Sequence, residues 1–122
     1  MRGRTVLVVE QEYLIATDIE YSLLAEGAAR VVIAANVEEA AQPILDQIDL
    51  AVIEARLGDP GVVAFVAQLR EQGVGVVVTS ADRQIQPLFT GTVPLEKPFV
   101  ASALVAACEA ALNEARRPLD QV

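Results

Sequence analysis

Four short runs of β-branched and aliphatic residues constrain this chain more than anything else in it: TVLVVE (Thr5 to Glu10), RVVIAA (Arg30 to Ala35), LAVIE (Leu50 to Glu54) and GVVVTS (Gly75 to Ser80). They are nearly continuous in apolar character, which fits strands covered on both faces rather than strands with one wet side. A weaker fifth run, TVPLE, covers Thr92 to Glu96. Between the runs lie segments of helical length and period, Glu12 to Glu26, Val37 to Gln47, Val62 to Gln72 and Val100 to Arg116. Gly27 and Gly73 stand where C-terminal caps belong, and Asn36 stands as an N-cap. Strand and helix alternate, so the economical architecture is an α/β domain with a doubly wound parallel sheet of five strands. The stretch ADRQIQPLFTG, Ala81 to Gly91, is short and contains Pro87, leaving room for about two helical turns at most. The fourth helix is therefore expected to be shortened or missing.

With 122 residues, 53% of them hydrophobic, and a mean hydropathy of +0.41, the chain has material for one core. It reads as a single domain over residues 1–122, with RRPLDQV (116–122) as a frayed tail. No apolar run reaches the roughly 18 residues of a membrane span, and Met1 to Glu10 lacks the apolar region of a signal peptide. The expected location is the cytoplasm. The single cysteine, Cys108, falls in an alanine-rich helical pattern and reads as a buried, inert thiol. Histidine is absent, which excludes a Ser-His dyad, a histidine general base, phosphohistidine and the commonest zinc ligand. A net charge of -8 repels phosphate backbones and anionic lipids, so neither nucleic acid nor membrane is an expected partner.

In a doubly wound sheet, sites form outside the carboxyl ends of the strands. The residues there are Glu10 with Gln11, Glu54, Thr79 with Ser80, and Lys97. Acids, a hydroxyl and a lysine thus converge on one cleft.

Those residues sit in segments that resemble, in order and spacing, the receiver domain of two-component response regulators over nearly the whole chain. The most specific is PLEKPF, Pro94 to Phe99. VLVVEQEYLIATDIEYSLLAEG (Val6 to Gly27) is similar to the family's first strand and helix, DLAVIE to its third strand and VVVTSA to its fourth. The resemblance implies a flavodoxin-like fold with strand order 2-1-3-4-5 and a cis peptide before Pro98. It also implies phosphoryl transfer onto an aspartate ending the third strand, with Mg²⁺ held by that aspartate, a first-strand acid and a backbone carbonyl, while Thr79 and Lys97 take phosphoryl oxygens. Such transfer is positioning plus charge neutralisation, so each missing charge is felt.

The chain departs from that pattern where the chemistry needs it most. Glu54 replaces the acceptor aspartate, and Gln11 replaces the metal-binding member of the first-strand acid pair, beside Glu10. The Glu54 carboxylate reaches roughly one C–C bond further than an aspartate's, and a displacement of about 1 Å already costs near 100-fold in a near-attack geometry. Mg²⁺ demands octahedral oxygen ligands and favours carboxylates, so metal binding should be weak or absent. Arg56, where the resemblance implies the metal-ligating carbonyl, is a candidate cationic substitute for the ion, and Glu12 is a candidate replacement ligand whose simpler role is a first-turn helix acid. Pro94 takes the place of the family's switching aromatic residue, and Gly58 that of a common proline.

The functional expectation is a stand-alone, atypical receiver that is not an enzyme, holds no cofactor and acts in signal transduction as a phosphorylation-independent interaction module. The alternative is a working phosphoacceptor supplied by a histidine kinase. A flavodoxin-like cofactor binder is disfavoured because Gly58 and Gly61 have no G-x-G-x-x-G context and aromatic content is 4%. On the first helix, Ile15, Ile19 and Leu23 form the expected inward stripe, and Tyr13, Leu14, Tyr21 and Leu24 are surplus apolar surface. That surplus marks the expected partner face, for a histidine kinase or phosphotransfer protein by resemblance, or for a second copy in a homodimer.

Overall fold

The computed structural model describes residues 1–40, 47–55, 59–82 and 89–115. In chain order the elements are β1 (Thr5–Val9), α1 (Tyr13–Ala25), β2 (Arg30–Ala34), α2 (Val37–Ala40), β3 (Leu50–Glu54), α3 (Pro60–Glu71), β4 (Gly75–Ser80), β5 (Val93–Glu96) and α4 (Ala101–Ala115). All four strand pairings are parallel, and the sheet runs β2-β1-β3-β4-β5. The expected flavodoxin-like order is therefore the observed one. Within the longer helix expected from Val37 to Gln47, residues 41–46 lie outside the described set, as do Pro87, Gly58 and the tail from 116. The expectation of a curtailed fourth helix falls mainly on residues 83–88, also outside it.

The apolar runs bury both of their faces, as their lack of alternation requires. Leu7, Val9, Ala51, Ile53, Val76 and Val78 pack with Ala40 of α2 and with Val62, Phe65, Val66 and Leu69 of α3. The residues between them, Val6, Val8, Leu50, Val52 and Val77, pack on the other side with Ala16, Ile19 and Leu23 of α1 and with Leu104, Ala107, Cys108, Ala111 and Leu112 of α4. Full burial of such an aliphatic side chain contributes about 1.5–3 kcal/mol. β5 lies at the edge, which is why Pro94, with no N–H to give, is tolerated within it.

Local chemistry sets the element ends. Gly27 and Gly73 adopt φ of 100° and 81°, the left-handed conformation expected of helix caps. Asn36 caps α2 by accepting from the Glu39 amide at 2.9 Å, and Glu39 returns the favour by accepting from the Ala35 amide at 2.7 Å. Two expectations need correction. α3 starts at Pro60, not Val62, because Asp59 accepts from the Gly61 and Val62 amides while Pro60 supplies a preset φ at the first position. The inward stripe of α1 is Ala16, Ile19 and Leu23, with Ile15 only partly buried beside it.

Gly75 opens β4 against the backbone of α4, where a Cβ would lie 2.6 Å from the Ala111 carbonyl oxygen. Neither the strand nor the helix backbone can yield cheaply. Gly75→Ala is expected to lower stability by about 1–3 kcal/mol, read in urea as a reduced midpoint at unchanged slope. An unchanged midpoint would show that α4 does not sit this close to the sheet.

Candidate functional site

Strand parity builds the cleft. Each position lies two residues beyond a core residue of the α1 and α4 side: Val8 then Glu10, Val52 then Glu54, Val77 then Thr79, Leu95 then Lys97. Side chains alternate along a strand, so these four leave the sheet on one side. The register aligns them: Val9 is opposite Ile53, Glu54 opposite Thr79, and Thr79 opposite Leu95. Three backbone bonds carry the ladder past the strand ends, Glu10 N–H to the Ala34 carbonyl at 3.0 Å, Ala55 N–H to the Thr79 carbonyl at 2.9 Å and Lys97 N–H to the Ser80 carbonyl at 2.9 Å. The peptide from Lys97 to Pro98 is cis.

At the centre the Lys97 ammonium donates to Glu10 Oε1 at 2.8 Å and to Glu54 Oε2 at 2.6 Å. The Glu10 side chain is 1% exposed, that of Glu54 18% and that of Lys97 16%, so this is a largely desolvated pair of ion pairs with one net negative charge. Burial alone would pull the lysine's pKa down. The hydrogen bonds and charges of Glu10 and Glu54 outweigh that penalty and hold it above the ordinary lysine value. The second oxygen of Glu10 accepts from the Glu12 amide at 3.1 Å, tying the cleft to the start of α1.

Of the remaining site candidates, Thr79 is buried in register beside Glu54. Ser80 faces away from that row and closes a local turn, exchanging hydrogen bonds of 2.9 Å with the carbonyl and amide of Asp82. Gln11 is exposed and lines a small cavity of about 130 Å³ together with Glu54, Asn36 and Asp59. Glu12 occupies the N-cap position of α1 without a side-chain cap bond, one residue before the first turn where it was expected. Arg56 lies outside the described residues. Tyr13, Leu14, Tyr21 and Leu24 are all exposed on α1.

Among the described residues the donor set does not fit an octahedral divalent cation. Both oxygens of Glu10 are engaged, Gln11 offers a neutral amide, and Glu54 is held by the lysine. Among the described residues no group of three or more acidic, histidine or cysteine ligands converges. Sequence reasoning missed the second contact of Glu10, because a backbone amide at a helix start is invisible in residue type. It also missed Asp59 as a cap, although the Asp-Pro pair preceding an apolar run was the available signal.

Solved structures share this architecture. A response regulator receiver protein from Sinorhizobium medicae superposes with a TM-score of 0.78 at 24% identity, over 93% of this chain and 97% of that one. An orphan response regulator of H. pylori gives 0.75 at 24% identity, over 92% and 99%. A chemotaxis protein from Vibrio cholerae gives 0.76 at 19% identity, over 90% and 99%. The fold is that of receiver domains. No protein-family model and no curated protein sequence matches the chain.

Removing Lys97 strands a buried carboxylate, so Lys97→Met is expected to lower stability by about 3 kcal/mol. Because Glu10 is the more buried partner, Glu10→Gln should restore more of that loss than Glu54→Gln does. Strictly additive losses in these double-mutant cycles would show that the groups do not interact. The lysine's raised pKa means that its contribution is fully present below the unfolded-state value of about 10.4 and is lost as pH rises through the higher folded value. The stability gap between wild type and Lys97→Met should accordingly stay level through neutral and mildly alkaline pH and close only beyond it.

Proposed function

We propose that this chain is a cytoplasmic, non-enzymatic signalling module of receiver type that works by binding other proteins and does not depend on phosphorylation. The observation that carries this reading is the Lys97 ammonium bound at once to Glu10 and Glu54 at 2.8 and 2.6 Å. Attack by a carboxylate on an anionic phosphoryl group needs cations shielding both, and here the cleft's lysine is already committed to the two acids. Glu54 stands where the acceptor would be, carries an extra methylene, and has its near oxygen turned to the lysine. Gln11 leaves the cleft without a second first-strand carboxylate for a metal.

The same geometry gives Glu54 a positive task. Its longer side chain brings a fixed negative charge to Lys97, the residue that the receiver resemblance assigns to a phosphoryl oxygen. One charge stands where phosphate would bring about two. In this reading the cleft holds a constitutive ion pair in place of a switched one, and Pro94, in an exposed edge strand, offers no aromatic ring to report a change.

Incubation with acetyl phosphate or a phosphoramidate in millimolar Mg²⁺ is expected to leave the intact mass unchanged. A stoichiometric gain of one phosphate that disappears in Glu54→Ala would establish a working phosphoacceptor instead. Restoring two aspartates, Glu54→Asp with Gln11→Asp, should recover Mg²⁺ binding in part, measured by titration calorimetry against the wild type.

A further inference from the structure

Among the described residues the sheet ends in β2 on one side and β5 on the other, and the two edges are built differently. On β5 the Lys97 amide gives to the Ser80 carbonyl, so Val93 and Leu95 bond toward β4 while Pro94 and Glu96 turn their backbone outward. Pro94 has no N–H to offer there, and the Glu96 side chain is exposed and charged, two devices that keep an edge from pairing. β2 has neither. Its Ala34 carbonyl accepts from the Glu10 amide and its Arg30 amide gives to the Arg4 carbonyl at 3.4 Å, so its even-numbered residues bond toward β1. Val31 and Ile33 therefore turn N–H and C=O to the outside, in a strand that is only partly buried from Val31 to Ile33.

A second β2, antiparallel about a two-fold axis through Val32, satisfies those groups. Val31 of each copy lies opposite Ile33 of the other, and each such pair exchanges both of its backbone hydrogen bonds. Val32 meets its own counterpart as a non-hydrogen-bonded pair, where side chains approach most closely. Arg30 then stands opposite Ala34 of the other copy. By strand alternation Arg30 leaves the sheet on the side of Val32 and Ala34, which is the side that α2 covers. Glu38 of the other copy, exposed in the first turn of α2, lies on that side. Among the described residues neither Arg30 nor Glu38 has an ion-pair partner of its own. From Ala28 to Val37 the chain carries a single charge, that of Arg30, so the acids behind its net charge of -8 lie outside the edge. A strand from another protein would meet the backbone groups alone, whereas a second β2 also meets both charges.

We propose that the chain forms a two-fold dimer through its β2 edges, joining the two five-stranded sheets into one and leaving the lysine clefts at opposite ends. The pairing shares no residue with the Lys97 cluster and goes beyond the reading of that cleft.

Light scattering on the intact chain, over a concentration series into the millimolar range, is expected to show a monomer–dimer equilibrium. Arg30→Glu sets like charges against Glu38 and should raise the dissociation constant about 10-fold or more. Arg30→Glu with Glu38→Arg restores the native net charge and the complementary pairs, and should recover most of that loss. Both positions are exposed, and circular dichroism checks that each variant is folded. Val32→Cys should cross-link into a covalent dimer on mild oxidation, since the two positions meet across the axis, whereas Val31→Cys should not; Cys108 is buried and does not compete. A monomer at every concentration, a dimer indifferent to Arg30→Glu, no rescue by the charge swap, no cross-link at position 32 or a preferred one at position 31 would each overturn the proposal. So would a dimer abolished by Leu14→Ser with Tyr21→Ser, which would place the contact on α1. Those outcomes leave the interaction-module reading standing, whereas phosphate uptake at Glu54 would remove that reading without undoing the β2 pairing.

Discussion

One ammonium organises the carboxyl edge of this sheet. Lys97 reaches from the end of β5 past the buried hydroxyl row of β4 to the ends of β3 and β1, and its two carboxylate partners come from strands far apart in sequence. A carboxylate as buried as that of Glu10 is tolerable only with a charge and hydrogen bonds of its own. Lys97 supplies the charge, and the Glu12 amide supplies a further donor at the first turn of α1. The entry of the first helix, the ends of two central strands and the edge strand are thereby held to one another through a single small cluster.

The cluster depends on the sheet beneath it. A parallel sheet with both faces covered has no wet side on which to place polar groups, so they gather beyond the ends of its strands. The two-residue repeat then dictates which of them meet. Glu10, Glu54, Thr79 and Lys97 continue the row of side chains that packs on α1 and α4, while Ser80, one residue out of step, turns away into its own bond with Asp82. A shift of β1 or β3 by a single residue would put Val9 where Glu10 stands, or Ile53 where Glu54 does.

That logic also decides how much was legible beforehand. The strands announced themselves by unbroken runs of valine, leucine and isoleucine, the parallel sheet followed from their alternation with helices, and the strand order was implied by the similarity of PLEKPF and its companions to receiver domains. The meeting of Glu10, Glu54 and Lys97 was legible for the same reason, since topology alone brings strand ends together. Features set by packing were not. Whether Ile15 or Ala16 faces the sheet is a rotation of about 100° about the α1 axis, and nothing in composition fixes it. Asp59 and Pro60 fall before the helix expected from Val62 because they stand outside its aliphatic period, although the first turn of a helix is where backbone amides need a partner such as Asp59.

The length of the Glu54 side chain acquires its meaning from this arrangement. Its carboxylate stands one methylene further from the backbone than an aspartate's would and closes to 2.6 Å on the lysine. It stands inside the cleft as a fixed counter-charge, so together with Glu10 it neutralises the ammonium from within. Strand parity, a buried carboxylate and the reach of one glutamate thus meet in a single commitment, that of Lys97 to Glu10 and Glu54.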